Sequence, residues 1–183
     1  MKDPVQVRFS GSGGQGLITA GIILAEAAML EGQNVVQTQT YGPEARLGSS
    51  KAEVIISRGQ IAYPEVTQPD VLLCLSQEAA RKYASKVTPE TLVILDSSSI
   101  PADIPAGGKV VRLSITETAA TVGHKVVANS VALGVFNALA KVVSREALSK
   151  AVAARVPAKF ADLNQKALEA GEALASGALS AKA

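Results

Sequence analysis

Val5-Gln6-Val7-Arg8-Phe9 alternates apolar and polar side chains, the period-two signature of a half-buried strand. Glycines follow, and then Leu17–Leu30 is apolar at nearly every position with Gly32 just beyond, which predicts a mostly buried helix with a glycine stop. Asn34–Thr38 predicts a second strand and completes a β-α-β unit. Gln39–Ser50 is polar and glycine-rich. Ala52–Ser57 predicts the next strand, with a turn at Arg58-Gly59 and a short return at Ile61-Ala62 that would add an antiparallel element to the sheet.

Val71–Leu75 predicts a further strand and Gln77–Tyr83 a helix, and two more strands are expected at Leu92–Asp96 and Val110–Leu113. From Thr116 onward the pattern is helical: a short segment to Val122, a long one over Val126–Val143, then Arg145–Val156 behind a Ser144 N-cap. Pro157 breaks the pattern before Lys159–Ala175. Strands alternating with helices predict an α/β fold, a Rossmann-like and mostly parallel sheet flanked by helices, with a helical C-terminal third. Residues 1–175 are expected to form a single α/β domain, and the small, polar tail Ser176–Ala183 to fray. There is no internal repeat and no linker-like stretch.

Composition narrows the function classes. The 183 residues are 48% apolar but only 3% aromatic, without tryptophan, so the core must be built from Ala, Val, Leu and Ile, as suits helices packed closely on a parallel sheet. Basic and acidic residues number 18 and 16 and are interspersed, for a net charge of +2. That balance carries no electrostatic footprint for nucleic acid or an anionic membrane, and so few aromatics offer no stacking platform for single strands. The longest apolar region, Val126–Val143, is interrupted by Asn129, Ser130, Asn137 and Lys141 and predicts a buried helix rather than a membrane span. The N-terminus lacks a signal-peptide layout, so a cytoplasmic protein is expected. Cys74 is the one cysteine. It lies within an apolar run, as an inert buried thiol would, and alone it cannot form an internal disulfide, a Cys-rich zinc site or an iron–sulfur cluster.

Two loops carry candidate chemistry. Gly11-Ser12-Gly13-Gly14-Gln15-Gly16 satisfies G-x-G-x-x-G between a strand and a helix, where glycines permit a tight turn and helix N–H groups favour an anion. The dinucleotide fingerprint also requires an acid at the end of the second strand to hold ribose hydroxyls. Here that strand ends Val36-Gln37-Thr38-Gln39-Thr40. Contact with a phosphate-bearing ligand and simple packing of the helix on the sheet both remain open at this turn. The second loop, Tyr41-Gly42-Pro43-Glu44-Ala45-Arg46, sets a phenol, a carboxylate and a guanidinium around a proline. Arg46 suits bidentate pairing with a carboxylate or phosphate, although Glu44 and Arg46 also suit an ordinary surface pair. Both loops follow strands that could end at one sheet edge.

Other polar residues have structural alternatives. Asp96 and Ser97-Ser98-Ser99 lie at a strand end where α/β sheets bind ligands, but the same residues cap turns. His124 stands between Gly123 and Lys125, as a surface or capping residue would. Asn129, if buried, needs a partner, and could fasten the glycine loop or line an interface. The chain shows no paired carboxylates, no metal-ligand cluster and no nucleophile with an evident base, so no catalytic residue and no metal site is assigned.

Taken in order, Gly11–Gly16, Tyr41–Arg46, Tyr63-Pro64, Pro69-Asp70, Thr116-Glu117-Thr118-Ala119 and Asn129-Ser130-Val131-Ala132-Leu133-Gly134 closely resemble the gamma subunit, or gamma domain, of the 2-oxoacid:ferredoxin oxidoreductases. The likeness runs from the first strand to the Asn164–Gly171 region, and the Tyr-Gly-Pro-Glu-Ala-Arg form looks most like subunits of 2-oxoglutarate enzymes. Two departures stand out: Leu47-Gly48 after Arg46 where the family commonly has glycines, and His124-Lys125 where Gly-Asn types are frequent. The resemblance implies a non-autonomous subunit of a complex that oxidatively decarboxylates a 2-oxoacid, with coenzyme A capturing the acyl group and ferredoxin taking the electrons. It implies that this chain binds no cofactor alone, and that thiamine diphosphate and iron–sulfur clusters belong to alpha and beta partners, with a ferredoxin-like delta subunit as a further partner. It also implies that Gly11, Gly13, Gly14, Gln15, Gly16, Tyr41, Glu44 and Arg46 face coenzyme A or the subunits around it. The alternatives are a family member acting on pyruvate, a branched-chain 2-oxoacid or indolepyruvate, and a stand-alone Rossmann-type nucleotide-binding protein.

Overall fold

The computed structural model describes residues 2–41, with Tyr41 by its backbone, and residues 49–180. Its strands are β1 (Val5–Ser12), β2 (Asn34–Tyr41), β3 (Ser49–Ser57), β4 (Val71–Cys74), β5 (Leu92–Asp96) and β6 (Lys109–Leu113). Its helices are α1 (Leu17–Leu30), α2 (Gln77–Tyr83), α3 (Ile115–Val122), α4 (Ala128–Ala140), α5 (Arg145–Arg155) and α6 (Ala161–Ser180). The six strands form one sheet in the order β2-β3-β1-β4-β5-β6. The ladders β1–β4, β4–β5 and β5–β6 are parallel. The expected α/β class with a helical last third is found.

The topology differs from expectation at one edge. The antiparallel strand is β3 itself, which separates β1 from β2 and pairs antiparallel with both. The expected return at Ile61-Ala62 is not a strand. Its place beside β3 is taken by β1, whose whole length from Val5 to Ser12 pairs with β3. The hairpin is therefore β2–β3, joined through residues 42–48.

Alternation sorts side chains onto two faces. Val5, Val7 and Phe9 of β1 and Ala52, Val54 and Ile56 of β3 join the larger core with α1, α4, α5 and α6. Phe9 meets Phe136 of α4 edge to face, centroids 5.2 Å apart, a favoured geometry for aromatic rings. On the other face, Leu72, Cys74, Val93 and Leu95 form a smaller core beneath α2. Beside it Arg8 donates to Glu53 at 2.7 Å and to the Val66 carbonyl at 2.8 Å, and lies 5.1 Å over the Tyr83 ring. Lys51 completes the pairing of Glu53 at 2.7 Å, so the half-buried guanidinium is compensated where it leaves water.

The expected helix over Val126–Val143 divides. It begins with a 3-10 turn at Lys125–Val127 and ends at Lys141 in the left-handed region, φ 51°. Asn137 causes the stop: its amide donates to the Val143 carbonyl at 2.9 Å and accepts from the Val143 N–H at 3.2 Å, holding a turn that competes with helix. Val142 and Val143 are still buried, which explains their helix-like pattern. At the other end α6 continues to Ser180, five residues beyond the Ala175 stop suggested by composition.

α4 and α6 run parallel, since Ser130 bonds Asn164 at 2.7 Å and Gly134 lies against Leu168 further along both helices. A Cβ on Gly134 would overlap the Leu168 carbonyl, and one on Gly171 the Val131 carbonyl. Two glycines thus allow backbone-to-backbone contact at the crossing. This accounts for the Asn129–Gly134 and Asn164–Gly171 stretches as packing motifs.

Candidate functional site

β1 delivers the chain to the carboxyl edge of the sheet, where it turns at Gly13–Gly16 into α1. Gly14 and Gly16 have φ of 88° and 72°, left-handed values that glycine adopts without strain. The turn is braced by Gln15, whose Oε1 accepts from the Ser12 N–H at 2.7 Å while Nε2 donates to the Leu75 carbonyl at 3.0 Å. The loop is therefore tied to the end of β4. Gly11 is buried because a Cβ there would overlap the Gln15 amide and sit 2.8 Å from Leu17. Gly16 lies against Asn129, whose Nδ2 would be 2.9 Å from an added Cβ. Gly14 is different: it is exposed, and no described residue lies within 4 Å of a Cβ placed on it.

The glycines thus divide. Gly11 and Gly16 pack, Gly13 and Gly14 present backbone at the edge, and Gln15 has both ends of its amide engaged within the chain. Tyr41 ends β2 in the row Gly11–Ser50–Tyr41 across three strands, so the described ends of both candidate loops share the carboxyl edge. Glu44 and Arg46 lie outside the described residues. The brace from Gln15 to Leu75 was not readable from the turn itself, since a polar side chain among glycines suggests a ligand as readily as a strut.

β3 also bears on the dinucleotide alternative. That fingerprint depends on a second strand adjacent to the first, so that its terminal acid reaches the ribose beside the glycine turn. Here β3 stands between them and the end of β2 carries Thr38, Gln39 and Thr40.

The polar residues further along the edge have local work. Asp96 is fully buried and accepts from Ser98 N–H at 3.2 Å, Ser99 Oγ at 3.0 Å and Thr116 N–H at 3.3 Å, and also from the Thr116 hydroxyl. It joins the end of β5 to the start of α3. His124 caps the 3-10 turn, its Nδ1 accepting from the Val126 N–H at 3.0 Å. Cys74 is sealed between β1, β5 and α2, and burial pushes its thiol from an ordinary 9.0 up to about 12, partly offset by Arg8. Such a thiol is no nucleophile at neutral pH.

Among the described residues no three of His, Cys, Asp and Glu come together to hold a metal ion. A thiolate-held iron–sulfur cluster does not fit a single buried cysteine. What the edge supplies is backbone amide groups, the N-terminus of α1 and an open surface. These can hold and orient an anionic group. No helix among the described residues is long and apolar enough to cross a membrane.

A Rossmann-like layer with an inserted antiparallel strand is the fold class of a ferredoxin oxidoreductase gamma subunit. Residues 6–174 match the family described as pyruvate ferredoxin/flavodoxin oxidoreductase, and the chain belongs to that family. It is 40% identical over 170 residues to the 2-oxoglutarate synthase subunit KorC of Methanocaldococcus jannaschii, covering 91% of each chain. Among solved structures it resembles the gamma subunit of the keto/oxoacid ferredoxin oxidoreductase of Geobacter sulfurreducens, with 46% identity and a TM-score of 0.82 over 95% of this chain and 99% of that one. It also matches 32% of the 2-oxoglutarate:ferredoxin oxidoreductase chain of Magnetococcus marinus, solved with 2-oxoglutarate, coenzyme A and succinyl-CoA bound. That match covers 97% of this chain at 26% identity, with a TM-score of 0.85.

Proposed function

We propose that this chain is the gamma subunit of a cytoplasmic 2-oxoglutarate:ferredoxin oxidoreductase, and that its carboxyl edge faces coenzyme A in the assembled complex. The near full-length identity to a 2-oxoglutarate synthase subunit carries this reading and favours 2-oxoglutarate over pyruvate, branched-chain 2-oxoacids and indolepyruvate. The complex would convert 2-oxoglutarate and coenzyme A to succinyl-CoA and CO2, passing two electrons to ferredoxin. Alpha and beta subunits would hold thiamine diphosphate and iron–sulfur clusters, with a delta subunit as a ferredoxin-like relay. Residues 1–175 would act as one body.

Within that complex the chain's own part is to bind and orient. Gly14 is exposed at the turn, Gln15 braces it, and α1 adds the positive end of its dipole. Gly11 and Gly16 let the loop lie close to its supports. Tyr41, Glu44 and Arg46 would also contact coenzyme A or the subunits around it. Co-expression with the alpha and beta chains, followed by dye reduction with each acid, tests the reading. Coenzyme A-dependent reduction with 2-oxoglutarate preferred is expected from the complex and none from this chain alone. Turnover by the isolated chain, or preference for another acid, would overturn it.

A further inference from the structure

The two edges of the sheet are finished differently. β6, at one end of the strand order, is five residues long and carries Lys109 and Arg112, charges that discourage a further strand from pairing there. β2, at the other end, runs for eight residues without a charge or a proline. Its inner side pairs residue for residue with β3, so no bulge twists the edge away. Among the described residues no strand lies beyond β2, and its outward N–H and C=O groups form a continuous row for pairing.

α1 adds a second surface to the same flank. It lies over β3 and β2, because a Cβ on Gly21 would meet Ala52 at 2.8 Å and Gln37 at 3.8 Å. α4 sits on the other side, over β1, where Phe136 meets Phe9, and Ala20 lines a small apolar gap with Ala132 and Leu133 of that helix. Ile18 and Ile22 stand two positions either side of Ala20, about 200° around the helix, and so point away from α4 and over the β2 edge. Ala25 and Met29 continue this face; Ile18 and Ile22 are half-buried and Met29 is 63% exposed.

The flank is thus an uncharged strand edge beneath an uncharged helix stripe. The nearest charges on β3, Lys51 and Glu53, are already paired with each other at 2.7 Å. Such a surface meets itself without like-charge repulsion, and an antiparallel strand edge is self-complementary about a twofold axis. β2 is about 27 Å long, and a strand with a helix over it spans about 20 Å. That offers about 500 Å² per copy and about 1,000 Å² for two, the lower bound for a specific pair.

We propose that β2 pairs antiparallel with β2 of a second copy of this chain, joining two six-stranded sheets into one of twelve strands, and that the two α1 stripes pack together over the seam. A twofold axis perpendicular to the sheet must pass through a residue to keep the side-chain faces in register, and Gln37 and Thr38 are the two at the middle of β2. The pairing does not depend on which acid the complex uses.

Sedimentation of the full chain tests this. A species of twice the 18.7 kDa chain mass is expected at micromolar concentration, and a chain still monomeric at about 100 μM would overturn the pairing. Ile22→Glu sets two carboxylates against each other across the seam and should weaken the dimer at least about a hundredfold while the circular dichroism of the fold is kept. A dimer indifferent to this change uses another surface and overturns the assignment. If Ile22→Glu does not fold, single cysteines on the edge answer instead, since Cys74 is buried and does not compete. Under mild oxidation either Gln37→Cys or Thr38→Cys should crosslink two copies, whereas Asn34→Cys, about 20 Å or more from its mate, should not. Crosslinking at neither central position, or equally at Asn34→Cys, overturns the strand pairing. A chain monomeric alone whose Ile22→Glu variant no longer joins the alpha and beta chains would assign the flank to those subunits and overturn the second copy as its occupant. The gamma-subunit reading stands under each of these results, because it is tested by turnover of the complex.

Discussion

Glycine serves opposite ends in two regions of this molecule. At the α4–α6 crossing, Gly134 and Gly171 remove side chains so that two helices touch through their backbones. At the carboxyl edge, Gly14 removes a side chain and no described residue fills the space. Both stretches belong to the ordered set of motifs that marks the family, and sequence alone gives them equal standing. The structure separates them: one is a closed joint that stabilises the fold, the other an exposed backbone available to something outside the chain.

The sharpest way to break this comparison is at the joint. Gly134→Ala forces a methyl into the Leu168 carbonyl, and because the obstacle is backbone the helices must part. A loss of about 2–3 kcal/mol is expected, lowering Tm by roughly 5–10 °C, read by thermal melting of the full chain. Unchanged melting would mean that the crossing is loose and that its glycines are not packing residues. Gly14→Ala should behave the other way. It meets no atom but imposes a left-handed conformation on alanine, so about 1 kcal/mol of stability is lost, and the larger effect should be a raised KM for coenzyme A in the complex. If Gly14→Ala destabilises as much as Gly134→Ala and leaves KM alone, the open edge is only a turn.

Cys74 sharpens the contrast with the smallest effect. It pairs with Ser10, one residue before Gly11, and lies sealed on the sheet face opposite α1. A thiol reagent at pH 8 should leave it unmodified in the wild type and in Gly14→Ala, and label one equivalent only on unfolding. Because the folded thiol titrates near 12 and an ordinary one near 9.0, the unfolded chain gives up its proton first as pH rises. Cys74 therefore contributes stability in full below pH 9, and that contribution falls as pH climbs toward 12. Stability independent of alkaline pH, or rapid labelling of the native wild type, would show that the sheet floor is not closed.

Periodicity made most elements legible. The alternation in Val5–Phe9, the apolar run of α1 and the Ser144 cap each correspond to an observed element, because burial on one face and local capping leave marks within a few residues. The insertion of β3 between β1 and β2 left no such mark. Strand order depends on which edges pair, and Ala52–Ser57 has the same apolar pattern whichever neighbour it takes. The break at Ala140 was hidden for a related reason, since Val142 and Val143 are buried without being helical. At the edge, the glycine turn was visible, but the division of labour within it was not. Gln15 as a strut and Gly16 as a seat for Asn129 depend on contacts with Leu75 and α4, distant in sequence. Asn129 was noticeable as a polar residue in an apolar helix, but its seat against Gly16 appears only in the structure.

The Gln15 strut has a consequence for assembly. Both of its bonds end within this chain, so the shape of the glycine turn is settled when the subunit folds and owes nothing to a neighbour. Any partner or ligand arriving at this edge then meets a surface already in its working form, and little disorder remains to be removed at the moment of encounter. The subunit would join its complex in the manner of a finished machined part, and a change at Gln15 that removes the strut would be felt first as slower docking.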